Sequence, residues 1–291
     1  MRAHGTERRR LRVGVLVAVV ACASCSSEPT SDTADTAPAT TTVTATTVVE
    51  WPAVLDGVLR EMTQRLDPLT AACDHNALFA ATYLLTTRTV RAAAVAGEFD
   101  SPEFISHFAE AFAARYFDSR DAWISGNISD IPEAWVVAYE ASDDRRVSSV
   151  GDLLLGMNAH ISRDLAFVVA DTIPVEDDSR ERDFLHFNDL VARAGPEILE
   201  TLRTVYDPTI TALVPFGLFG GSSFEALITT WRAESYANGR LMASAATAAD
   251  REIVAARVEE IAAQRAQLIR LATNYLPVIG DVSGRDDRCE S

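Results

Sequence analysis

The sequence predicts an all-α protein: a single bundle of about nine helices behind a leader and a polar tether. Three observations carry this reading. From Trp51 onward apolar residues recur at spacings of three and four. No alternating strand pattern of useful length occurs. The gaps between the periodic runs carry helix punctuation. With 48% hydrophobic and 23% charged residues in 291, the chain can bury a sizeable core.

The first run passes through Val54, Val58, Leu59, Met62 and Leu66, and is followed by Leu78 to Val95, Phe104 to Phe117, Ile131 to Tyr139 and Val150 to Val169. Four more cover Asp183 to Ala194, Glu197 to Val205, Phe224 to Ala248 and Asp250 to Leu276. Ser101-Pro102 reads as an N-cap with proline at N1, Gly195-Pro196 as a break, Ser222-Ser223 as a helix start and Pro277 as a stop. The segment from Phe216 to Gly221 is rich in glycine but lacks a lysine and the spacing of a phosphate loop, so it reads as a hinge or close-packed turn.

Residues 1–21 read as a secretory signal. Arg8, Arg9, Arg10 and Arg12 form a positive start, and the apolar run to Ala21 is too short to span a bilayer. Val19-Val20-Ala21-Cys22 resembles a bacterial lipobox, which makes Cys22 the expected lipidated residue, with Cys25 as the alternative. Residues 22–50 are threonine-rich and lack aromatic side chains. They read as a flexible tether with a reach of about 30 Å. The expected organisation is therefore signal (1–21), tether (22–50), helical domain (51–277) and tail (278–291). The expected location is the extracytoplasmic face of a membrane, with lipid anchorage and simple secretion as the two alternatives. Cys73 and Cys289 could pair there as a disulfide.

The chain has 26 basic residues, every one an arginine, against 42 acidic ones, and a net charge of -16. A body of that charge repels phosphate backbones, so nucleic acid is not an expected partner. The expected partners are the membrane, through the N-terminal lipid, and a small molecule or protein.

The helix from Leu153 to Val169 holds the constellation of most chemical interest. His160 and Asp164 lie four apart and share a face with Leu153, Met157 and Phe167, while the opposite side is apolar too, as in a central helix. A buried imidazole and carboxylate at this spacing can satisfy each other, join a polar network or bind a metal. Asp74, Asp183 and His186 are the further candidates for a zinc or other divalent-metal set. Asp74 is equally suited to capping the second helix, and His107 reads as a packed histidine.

Five blocks of residues resemble a family of bacterial and fungal proteins known as domain of unknown function 5995. They are Asp74-x4-Phe79-x3-Tyr83-Leu84-x2-Thr87; Phe99-x-x-Pro102-x-Phe104 with Tyr116-Phe117 and Pro132-x-x-Trp135; Gly156-Met157-Asn158-Ala159-His160-Ile161-x-x-Asp164-Leu165; Asp183-Phe184-x3-Asn188; and Trp231-Arg232 with Tyr236, Asn238 and Gly239. The chain departs from the family pattern at His75, where glycine is usual, and at Tyr236, where tryptophan is usual. The resemblance spans about Trp51 to Met242. It implies an all-helical fold and no established activity.

Two functions follow as expectations. One is a non-catalytic lipoprotein with a binding or envelope-structural role, in which Asn158, His160, Asp164, Asp183, Asn188 and Arg232 form one buried network. The other is a metal-dependent hydrolase of phosphoesters or lipids, with His160 and Asp164 holding the metal and Arg232 binding an anionic substrate.

Overall fold

The computed structural model describes residues 50–173, 177–210, 224–274 and 284–290. The expectations for the signal, the tether, Cys22, Cys25, the glycine-rich segment, Ser222-Ser223 and Pro277 fall outside the described residues.

The described residues form helices α1 (Trp51–Ala71), α2 (Ala77–Val95), α3 (Pro102–Ser125), α4 (Glu133–Asp144), α5 (Ser149–Met157), α6 (Leu165–Thr172), α7 (Asp178–Val205), α8 (Phe224–Ala243), α9 (Ala248–Thr273) and α10 (Gly284–Glu290). A π-helical segment, Asn158–Asp164, joins α5 to α6, so Ser149–Thr172 runs as one rod. Counting that rod once, there are nine separate α-helices among the described residues. There is no strand among them, only an isolated antiparallel bridge between Val147 and Asn274. The all-α expectation holds.

The rod is the hub. It is apolar all round, and α2, α3, α4, α8 and α9 pack about it, so 83% of its most apolar window is buried inside the protein. By length and composition it could cross a membrane, but here it is the core helix of the bundle. Two of its helix neighbours approach closely because of glycine. A Cβ at Gly156 would lie 2.6 Å from the Phe79 ring of α2, and one at Gly239 would lie 2.6 Å from the Ala166 carbonyl and Val169 of α6.

Local chemistry explains the boundaries. Ser101 caps α3, its hydroxyl accepting from the Phe104 amide, with Pro102 in the first turn as the sequence indicates. Thr247 caps α9 by accepting from the Asp250 amide, which ends α8 at Ala243 instead of the expected Ala248. The expected break at Gly195-Pro196 is corrected: α7 continues through both residues. Proline removes one backbone hydrogen bond, but the buried anchors on either side, Phe187 and Leu190 before it and Ile198 and Leu202 after it, hold the helix in register against the bundle.

The tail is not merely an extension. Cys73, in the left-handed turn between α1 and α2, is joined by a disulfide to Cys289 of α10, with Cα atoms 6.1 Å apart. Closing a loop of 216 residues stabilises the fold by about 5 kcal/mol in the chain-entropy account. Beneath the disulfide, buried His75 bridges Asp152 of α5 (Nδ1 to Oδ2, 2.9 Å) and Asp286 of α10 (Nε2 to Oδ1, 3.2 Å).

Candidate functional site

His160 sits in the π-helical segment, boxed by aromatic rings from three other helices. Phe112 of α3 stacks on it at 3.6 Å, Tyr83 of α2 lies 4.4 Å away, and Phe79, Trp135 and Tyr116 complete the box at 5.6, 6.1 and 6.4 Å. A π-turn loosens the regular carbonyl ladder, and its polar groups find partners on neighbouring helices. The Ser235 hydroxyl donates to the Ile161 carbonyl, Arg265 donates to the Ser162 hydroxyl at 2.7 Å, and the Asn158 amide donates to the Ala262 carbonyl at 2.8 Å.

Asp164 is fully buried and sits 3.3 Å from His160 Nδ1. It also accepts from Trp135 Nε1 at 2.9 Å and from Arg163 Nη1 at 2.8 Å, and Arg163 reaches on to Glu259. Burial alone would raise the Asp164 pKa, but the bonds to His160 and Arg163 hold it below the ordinary value, so it is a carboxylate. Burial lowers the pKa of His160, leaving it neutral at pH 7. A carboxylate only accepts, so the hydrogen-bond network assigns the imidazole proton to Nδ1 and a bare lone pair to Nε2. That Nε2 is buried and has no partner among the described residues.

Arg232 of α8 is 3% exposed. Its guanidinium lies over Phe187 at 4.4 Å and Phe184 at 5.1 Å, and its Nε donates to the Asn188 side-chain oxygen. Its buried Nη2 has no partner, and no carboxylate pairs with Arg232 among the described residues. Desolvation depresses its pKa to about 9, so it remains a cation at neutral pH.

Both residues line space left between the described helices. A cavity of about 300 Å³ lies between α7 and α8, floored by α2 and α5, with Arg232 and Asn188 in its wall. The rest of the wall is mainly aliphatic, including Leu153, Val191, Ile198, Leu199 and Ile228, with exposed Glu225 and Thr229 at the rim. A smaller space of about 50 Å³ shares Thr82, Thr86, Met157, Val191, Ile228 and Arg232 with it and is bounded by His160, Tyr83 and Phe112. Burial and the nearby Asp164 charge push the Tyr83 phenol well above its ordinary pKa.

The structure brings only part of the sequence-derived set together. Asp183 is buried elsewhere, accepting the Asp100 and Ser101 amides at 2.8 Å each at the start of α3. His186 meets Glu98 at 3.3 Å on the surface. Asp74 accepts from the Asn76 amide in the turn before α2 and pairs with Arg120 at 3.3 Å; the N-cap of α2 is Asn76, with no side-chain cap, so the capping expectation for Asp74 is corrected. Asp74, Asp183 and His186 are therefore corrected as partners of His160 and Asp164. Among the described residues no three His, Cys, Asp or Glu side chains form a metal-sized cluster. Asp164 Oδ2 accepts from Trp135 and lies beside His160 Nδ1, and Oδ1 accepts from Arg163, while His160 Nε2 has no partner among the described residues.

The single network is corrected as well. Asn158 ties the rod to α9, His160 and Asp164 form one group, and Asn188 with Arg232 forms another. Tyr236 stacks on Phe184 at 4.7 Å, and its phenol is pushed up to about 12 by burial. Asn238 is half-buried on α8, outside both groups. His107 is exposed, 3.4 Å from Glu110, and not packed. Sequence reasoning passed over Arg163 and over Asp152 as the buried partner of His75. The first was signalled only by adjacency to Asp164, and the pair, 77 residues apart, by nothing local.

Comparison with curated proteins and with solved structures returned no match. A family model does match, over residues 55–272, and covers most of the chain. The matched range contains α2, α3, α4, the π-helical segment, α7 and α8, which supply the His160 box and the Arg232 cavity. The chain belongs to the family of unknown function DUF5995.

Proposed function

We propose that the chain is an extracytoplasmic lipoprotein whose helical domain binds a small apolar molecule in the cavity between α7 and α8, without catalysing a reaction. The observation that carries this reading is the cavity itself. About 300 Å³ of largely aliphatic space in a close-packed bundle is within the range of small-ligand sites.

Three observations support the non-catalytic part. The Thr82 and Thr86 hydroxyls beside the cavity already donate to carbonyls of their own helix, at 2.8 and 2.9 Å. His160 opens on a space of about 50 Å³, the room of one or two waters. Only His160 and Asp164 of the proposed metal set meet, which gives the hydrolase reading less support. The Cys73 to Cys289 disulfide favours an oxidising compartment, and so supports the extracytoplasmic part.

Thermal denaturation of the full chain with 1-octanol tests the binding reading. Octanol should raise the Tm of the wild type and raise that of Val191→Phe less or not at all, because the larger side chain intrudes on both spaces that Val191 lines. Equal shifts in both, or none in either, would remove the cavity from the account. Metabolic labelling with an alkyne fatty acid tests the anchor: the label should be lost in Cys22→Ser, or in Cys25→Ser if that residue is the acceptor. Persistence in the double variant would exclude lipidation at either residue.

A further inference from the structure

We infer that the ligand of this cavity is a single-chain monocarboxylate. Its head would lie against Arg232 and its apolar tail along the aliphatic wall of α7 and α8. The inference rests on the binding reading above and names the chemical class that the site selects.

Arg232 carries the argument. An arginine with 3% exposure and no anion is costly, because its charge has lost water and gained no opposite charge. Two other arginines set into this bundle have carboxylate partners: Arg120 has Asp74 at 3.3 Å, and Arg163 has Asp164 at 2.8 Å and Glu259 at 2.6 Å. Arg232 instead has Asn188, a neutral acceptor that fixes Nε, and two phenyl rings that fix the plane. This mounting holds a charged guanidinium whose Nη2 has no partner among the described residues, on a residue that lines an apolar cavity. An anion entering there would restore the missing pair through a charge-assisted hydrogen bond.

The size and sign of the surroundings narrow the class. The extension bounded by His160, Tyr83 and Phe112 adds about 50 Å³, room for one or two heavy atoms, which suits a carboxylate oxygen reaching in beside Arg232 and not a whole tetrahedral phosphate. Glu225 at the rim and the net charge of -16 disfavour a ligand with a second negative charge. At roughly 30 Å³ per liquid-like heavy atom, the main cavity takes about ten such atoms, the size of octanoate. His160, neutral and with a lone pair on Nε2, adds an acceptor on the far side of the extension. A carboxyl group that carries its proton, or a water beside the carboxylate, can donate to it.

Calorimetric titration of the full chain with octanoate, 1-octanol and octylamine tests the class. In the wild type, octanoate should bind at least tenfold more tightly than octanol, and octylamine should not bind measurably. Arg232→Met should bring octanoate down to the level of octanol while leaving octanol unchanged. That variant should melt no lower than the wild type, because it deletes an uncompensated buried charge. Octanol binding as tightly as octanoate in the wild type would overturn the carboxylate inference and leave the cavity reading standing. Failure of all three probes to bind would overturn both. The wild-type comparison does not depend on the variant folding.

Discussion

Asp164 is the side chain on which most of the buried polar order converges. It is fully buried and engages His160, Trp135 and Arg163 at once, so removing it strands an indole N–H, an imidazole N–H and part of a guanidinium charge. Breaking a buried charge group on one side costs about 3–5 kcal/mol. Asp164→Ala should therefore lower the Tm by roughly 6–20 °C for a domain of this size, measured by calorimetry. A shift under roughly 2 °C would mean that the donors find other partners. The sequence indicated His160 and Asp164 correctly as a buried pair, because spacing on one helix is local information. It could not indicate that Trp135, on another helix, occupies one carboxylate oxygen and so reduces the room for a metal.

At the scale of elements, two glycines of α7 and α8 have opposite roles. Gly239 lets α8 lie against α6, where a Cβ would come within 2.6 Å of the Ala166 carbonyl and Val169. Gly195 lies in the interior of α7 with nothing within 4 Å of where its Cβ would be. Gly239→Ala should cost about 1–3 kcal/mol by overpacking. Gly195→Ala should stabilise by about 0.5–1 kcal/mol through reduced backbone entropy in the unfolded chain. Chemical denaturation of the two variants measures both signs; destabilisation by Gly195→Ala would show that α7 is not a continuous helix through Pro196. Helix existence was legible from periodicity for every run, and caps such as Ser101 were legible from residue type. The continuity of α7 was not, since Gly195-Pro196 is a local breaking signal that packing of Phe187, Leu190, Ile198 and Leu202 overrides. The π-turn was equally hidden. Its partners Ser235, Ala262 and Arg265 come from α8 and α9, far along the chain.

Across the whole molecule, the C-terminal helix closes the structure onto the turn between α1 and α2 through the disulfide and through His75. Burial disfavours a charged His75, but Asp152 and Asp286 outweigh it and raise its pKa above the ordinary 6.5. A raised histidine pKa gives stabilisation that is complete below about pH 6.5 and is lost as pH rises through the folded-state value. His160 works in the opposite direction, since its lowered pKa favours the fold above 6.5 and disfavours it as pH falls. The stability difference between wild type and His75→Gln should therefore be largest near pH 6 and shrink towards pH 8, as followed by urea denaturation. A difference that grows with pH would contradict the bridging arrangement. Little of this closure was readable in advance. Cys73 and Cys289 were visible as a possible pair, but a helix in residues 284–290 and a histidine shared between two carboxylates required chain segments 211 residues apart to meet.

The central claim is that the space beside Arg232 holds a ligand. Its most direct test is the NMR spectrum of octanoate labelled with ¹³C at the carboxyl carbon, added to the full chain, to Val191→Phe and to Arg232→Met. The account predicts a distinct bound carboxyl resonance in the wild type, its disappearance in Val191→Phe and its displacement or loss in Arg232→Met. A bound resonance that is identical in all three proteins would place the carboxylate elsewhere and contradict the account.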